Sequence, residues 1–215
     1  MENVIVSPEK KPDSTGHKKF VFSFHEGDGK NKQLLGGKGA NLCEMTQIGL
    51  NVPPGFVIST EACLAYLDNP NKQLPEGLME EVKAHIAELE KETGKGFGDA
   101  KNPLLVSVRS GSAMSMPGMM DTILNLGLNS ETLKGLIEQT GNERFAYDAW
   151  RRFIQLFGKI ALGVPDELFD EAFEAVKRKA GVAVDIGLKT EHMKEISERF
   201  LEIVKAETGR PFPED

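Results

Sequence analysis

Two stretches of this chain carry side chains suited to handling a phosphate. The first is "GGKGANL" at 36 to 42, where three glycines surround Lys38. Glycines let backbone amides approach an anion, and a helix that starts directly after them aims its unsatisfied N–H groups and positive dipole end at the same place. Lys38 adds a point charge. The spacing is not G-x-x-x-x-G-K-[ST], so a Walker-type loop is not supported. A plainer reading stands beside the anion site: a glycine turn with an exposed lysine leading into a helix. The second stretch is "VSVRSGSAMSMPGMMDT" at 106 to 122, which sets Arg109 at the end of an apolar run and follows it with four of the chain's eight methionines. A guanidinium is always charged, so at the end of a buried strand it needs a carboxylate or a phosphate. Ser110 to Met120 contain no carboxylate, and Asp121 is the nearest acid downstream. The methionines either line a flat ring or fill core space.

The elements that must position these residues divide into two kinds. Residues 1 to 18 have little to bury and are expected to be a disordered leader. "KFVFSF" is the first expected strand. Leu42, Met45 and Ile48, three apart and followed by Gly49, predict a short helix after the glycine turn. "VPPGFVIST" predicts a turn and a strand, with Thr60 capping the helix that begins "EACLAYL". Leu78, Val82, Ile86 and Leu89 mark one face of a further helix that ends near Gly94. "NPLLVSVRS" is apolar enough to be a central strand. This alternation predicts an α+β fold in which a mixed sheet carries helices, over residues 19–128. From 129 to 215 the period is helical throughout, with Ser130, Asn142, Asp166 and Thr190 as helix starts and glycines at 141, 158, 181 and 209 as punctuation. Phe145, Trp150, Phe153, Ile154 and Phe157 form one apolar stripe, and Met193, Ile196, Phe200 and Val204 another. The second part is a helical subdomain.

Composition bounds the class of function. The chain has 215 residues, 40% hydrophobic and 27% charged, enough for one sizeable core or two small ones. A net charge of −7 argues against broad binding to nucleic acid and leaves room for a local basic pocket. No run of 18 apolar residues suggests a membrane span, and no apolar signal core opens the chain. The expected location is the cytoplasm, with an organellar form left open. Cys43 and Cys63 are too few for a disulfide framework and have no histidine at zinc-ligand spacing, so both read as packing residues.

"LLGGKGANLCEMTQIGLNVPPGF", "NPLLVSVRSGSAMSMPGMMDTILNLGLN" and "GNERFAYDAWRRFIQLFG" resemble, in order and interval, the N-terminal signature stretches of the pyruvate, phosphate dikinases. The resemblance covers roughly residues 19 to 213. Phosphoenolpyruvate synthase and the glucan, water dikinases share the glycine-lysine loop and the V-R-S strand end without continuing "SMPGMMDTILNLG". The resemblance implies part of an ATP-grasp nucleotide-binding domain. It implies an enzyme that interconverts ATP, phosphate and pyruvate with AMP, pyrophosphate and phosphoenolpyruvate through a phosphohistidine. It makes Lys38 and Arg109 contacts to the ATP phosphates, with Gly36, Gly37, Gly39, Ser110, Met119 and Asp121 forming the wall beside them. Magnesium ligands, the carrier histidine and the pyruvate-binding barrel would lie beyond Asp215. None of His17, His25, His85 or His192 stands in the carrier's T-S-H context. The expected partners are ATP and the rest of a dikinase chain, which would dimerise through regions absent here; neither nucleic acid nor membrane is expected. Ser112, Met114 and Cys43 depart from the commoner family forms by small or apolar exchanges. No catalytic residue and no metal ligand is assigned within this chain, which alone is not expected to complete the reaction. The alternatives are a non-catalytic interaction module that has kept the fold, or the N-terminal part of a related dikinase such as phosphoenolpyruvate synthase.

Overall fold

The computed structural model describes residues 18–111 and 121–214. They pack as two compact units, divided between Ala87 and Glu88. The change of sequence character lies further on, near residue 128, so the strands just before it pack in the same unit as the later helices.

The first unit contains β1 (Val21–Ser23), α1 (Lys32–Gln47), β2 (Phe56–Ile58), α2 (Thr60–Asp68) and most of α3 (Leu78–Thr93). β1 and β2 pair antiparallel, with Phe22 opposite Val57. β1 would leave an open edge, a row of unpaired amides that has to find acceptors. The Glu81 carboxylate of α3 supplies one, accepting the amides of Phe20 at 2.9 Å and Val21 at 2.8 Å. Gln47 at the end of α1 ties down the turn after β1, its Nε2 donating to the carbonyls of Phe24, His25 and Gly27. The apolar residues gather in two small clusters, Phe20, Val21, Ala62 and Leu78 in one and Leu35, Ala40 and Cys43 in the other. Two expectations need correction here. Ser59, not Thr60, caps α2: its hydroxyl accepts the amide of Ala62, and its own amide continues the ladder by donating to the Phe20 carbonyl. Cys63 is exposed on α2 because only Ala62 of that helix is buried, whereas Cys43 does pack, and burial pushes its thiol pKa up.

The second unit holds β3 (Val106–Arg109), β4 (Thr122–Leu126), α4 (Ser130–Thr140), α5 (Glu143–Ala161), α6 (Asp166–Ala180), a 3-10 turn (Asp185–Gly187) and α7 (Thr190–Thr208). Its core is the expected one. Trp150, Phe153 and Ile154 of α5 meet Phe169 of α6 and Met193, Ile196, Phe200 and Val204 of α7. Phe145 falls off the stripe and is half exposed. Asn142 caps α5 as its type predicts, but the cap of α4 is Asn129, whose side chain accepts the amides of Glu131 and Thr132. Pro165 and Lys189 precede α6 and α7, so Ser130, Asp166 and Thr190 are first helical residues and not caps. Gly141, Gly181 and Gly209 end their helices in the left-handed conformation. Gly158 does something else: it lies inside α5, where an added Cβ would come within 2.8 Å of Phe169. It lets two helices approach.

The described residues form an α+β arrangement, helix-rich with two separate antiparallel ladders in place of one mixed sheet. β3 pairs only with β4 among the described residues, and Val108 is 47% exposed, so it is not a central strand there. A run of apolar residues records that cover is required. It does not say which residues give it.

Candidate functional site

The glycine stretch is built inside α1 and not before it. Asn31 caps the helix, accepting the amide of Leu34 at 3.0 Å. Five residues after the cap the helix breaks, because Gly36 has φ 67° and ψ 163°. That conformation is open to glycine and strained for other residues. The break divides α1 into a first turn and a second segment that starts at Gly37 and runs to Gln47. Gly37, Lys38 and Gly39 therefore occupy the first turn of a new helical segment, at the positive end of its dipole. Lys38 is exposed there. Gly39 packs against β2, where a Cβ would lie 2.8 Å from Val57 Cγ1, so this glycine is required by close helix–strand approach.

The carbonyls just before the break are served from outside the helix. The Thr60 hydroxyl lies 2.5 Å from the Gln33 carbonyl oxygen and 3.2 Å from that of Leu34, and donates to them. In an unbroken helix those carbonyls would accept from residues 37 and 38. Thr60 is held there by its neighbours, since β2 ends two residues earlier and Ser59 is almost wholly buried. This residue was legible in the sequence only as a cap, because a side chain that serves another helix leaves no local spacing to read.

The second group lies in the second unit. Arg109 is the last residue of β3 and pairs in register with Thr122, while the Ser110 amide donates to the Asp121 carbonyl at 3.1 Å. One ladder end thus brings Arg109, Ser110 and Asp121 together. Arg109 is exposed, and among the described residues no carboxylate forms an ion pair with it. Asp121 acts elsewhere: it adds to the raised pKa of Lys159, which the hydrogen bond from Lys159 to Asp166 dominates. Met119 lies outside the described residues, as do Ser112 and Met114. The glycine–lysine group and the arginine group belong to different units, each with its own geometry.

Comparison with known proteins bears on both groups. The family described as "Pyruvate phosphate dikinase, AMP/ATP-binding domain" matches residues 32–76 and 70–178, a span that holds the broken helix and the Arg109 ladder. Pyruvate, phosphate dikinase of Entamoeba histolytica is 58% identical over 195 residues, which cover 91% of this chain and 22% of that protein. The chloroplastic enzyme of Flaveria trinervia is 47% identical over 215 residues, covering 98% of this chain and 22% of that protein. The Clostridium symbiosum enzyme is 46% identical over 198 residues, covering 92% and 22%. This chain therefore spans about a fifth of the length of these relatives. With most of its residues matched and its two anion-suited groups inside the match, it belongs to the pyruvate phosphate dikinase AMP/ATP-binding domain family.

Proposed function

We propose that this chain is the N-terminal nucleotide-binding part of a pyruvate, phosphate dikinase, and that Lys38 and Arg109 hold the phosphates of ATP. The observation that carries the reading is the break at Gly36. It turns one helix into two and gives Lys38 a helix start of its own, where a lysine and backbone amides act on one anion. The exposed guanidinium at the end of β3 supports the phosphate role of Arg109 over an internal ion pair. Phosphoryl transfer needs charge placed rigidly where charge develops, and a helix start and a strand end are rigid mounts. Gly36, Gly37, Gly39, Ser110, Met119 and Asp121 would wall the nucleotide.

The wider reading follows from the relatives. The whole protein would interconvert ATP, phosphate and pyruvate with AMP, pyrophosphate and phosphoenolpyruvate through a phosphohistidine carried beyond this chain, and this chain alone would not complete that reaction. Its fold would be part of an ATP-grasp domain, with residues 19–128 and 129–215 as its α/β and helical parts. Magnesium would accompany ATP. Its ligands would lie elsewhere in the protein, as the resemblance to the dikinases implies. No helix among the described residues is long and apolar enough to cross a membrane. We propose a cytoplasmic location with an organellar form left open, and dimerisation through regions beyond this chain.

Calorimetric titration with ATP tests the phosphate reading. The parent chain should bind, and Lys38→Met should weaken binding by about 1.5 to 3 kcal/mol, the range for a hydrogen bond to a charged group. Equal affinities in the two proteins would defeat it.

A further inference from the structure

We infer that Thr60 is a positioning residue of the nucleotide site, acting by holding open the break in α1 from which Lys38 is presented; the inference rests on the phosphate reading of Lys38. A helix interrupted by one positive-φ residue has orphaned carbonyls on its near side. Left to water or to nothing, they favour closing the ladder, because residues 37 and 38 are the partners a continuous helix would give them. Thr60 removes that tendency. One hydroxyl proton is shared between the Gln33 and Leu34 oxygens, at 2.5 and 3.2 Å, so the two carbonyls that residues 37 and 38 would otherwise claim are engaged by the same group.

Three features make this a fixed mount and not a passing contact. Thr60 is β-branched, which restricts its χ1 rotation. It follows Ser59, which is 1% exposed and bonded through both its amide and its hydroxyl, so the backbone that carries Thr60 is anchored to β1 and to α2. On the far side of the break, Gly39 lies against Val57 of the same strand that leads into Thr60. β2 and its continuation thus touch α1 on both sides of Gly36, pressing on the second segment and hydrogen-bonding the first. Removing the hydroxyl alone leaves the pressing contact and deletes the bond.

Thr60→Val keeps the shape and removes the donor, while Thr60→Ser keeps the donor. ATP titration of the folded proteins should show Thr60→Val binding roughly three- to tenfold more weakly than the parent, as for the loss of one or two ordinary hydrogen bonds, with Thr60→Ser near the parent. The amide NMR signals of residues 36–39 should move in Thr60→Val and stay in place in Thr60→Ser. A purely stabilising role would lower the unfolding midpoint and leave the affinity of the folded protein alone. Parent affinity in Thr60→Val alongside weakened binding in Lys38→Met would overturn the positioning role and leave the phosphate reading standing. Undiminished ATP binding in Lys38→Met would instead sink the phosphate reading, and this inference with it.

Discussion

Arg109 shows what a single side chain can decide. An arginine whose carboxylate partner is removed from a buried pair costs several kcal/mol, but Arg109 is exposed and no carboxylate among the described residues pairs with it. Arg109→Met should therefore leave the thermal midpoint of the chain within a degree or two of the parent, by the usual scale of surface substitutions, while weakening ATP binding by about 1.5 to 3 kcal/mol. Early unfolding with parent-like affinity would return Arg109 to a structural role. Glu26 is the opposite case. Burial opposes its ionisation, yet hydrogen bonds from Lys19, the Ser23 amide and His85 outweigh it and hold its pKa below the ordinary 4.5. A depressed carboxylate pKa stabilises the fold above its unfolded value, and the contribution is lost as pH falls through the folded value. Glu26→Gln should thus lower the urea midpoint of the first unit at pH 7, and the gap should narrow as the pH falls below the ordinary 4.5 and through the folded value. A gap that does not narrow on acidification would mean that the charge of Glu26 is not what stabilises this turn.

Helices were legible where one face is buried, and their ends less so. The stripe from Trp150 to Phe157 and that from Met193 to Val204 could be read because each faces one core. α4, α6 and α7 begin at Ser130, Asp166 and Thr190 as their types predict, with Asn129, Pro165 and Lys189 in the cap positions just before them. Gly158 was misread as punctuation, since a glycine that permits a close crossing looks in sequence like one that ends a helix. The difference is measurable. Alanine at an exposed helical glycine gains up to about 1 kcal/mol in propensity. At Gly158 the new methyl would meet the ring of Phe169, which is fully buried and has nowhere to swing. Overpacking of that kind costs about 1 to 3 kcal/mol, so Gly158→Ala should be net destabilising in urea titration. A stabilised variant would show that α5 and α6 can part without cost. The broken helix was half legible: the glycine-lysine composition named the place, but nothing local revealed that helix precedes the break or that Thr60 attends it.

The whole chain divides its stability unevenly. Among the described residues the first unit rests on two clusters of four and three buried apolar residues, the second on a single large cluster that includes Trp150 and three buried phenylalanines besides Phe212. Hydrophobic stabilisation scales with the apolar area removed from water, so the first unit should be the weaker. Urea unfolding followed by circular dichroism should show two transitions, with Leu35→Ala shifting only the earlier one; a single transition shifted as a whole by Leu35→Ala would mean that the units unfold together. The aromatic cluster decides which probes can see this. Trp150 is the chain's one tryptophan, and it sits edge-on to Phe212 with ring centroids 5.6 Å apart, in the second unit. Indole emission therefore reports the packing of the C-terminal segment on α5 and carries no direct signal from the broken helix. A fluorescence melt of this protein would look like one clean transition while the broken helix had already come undone.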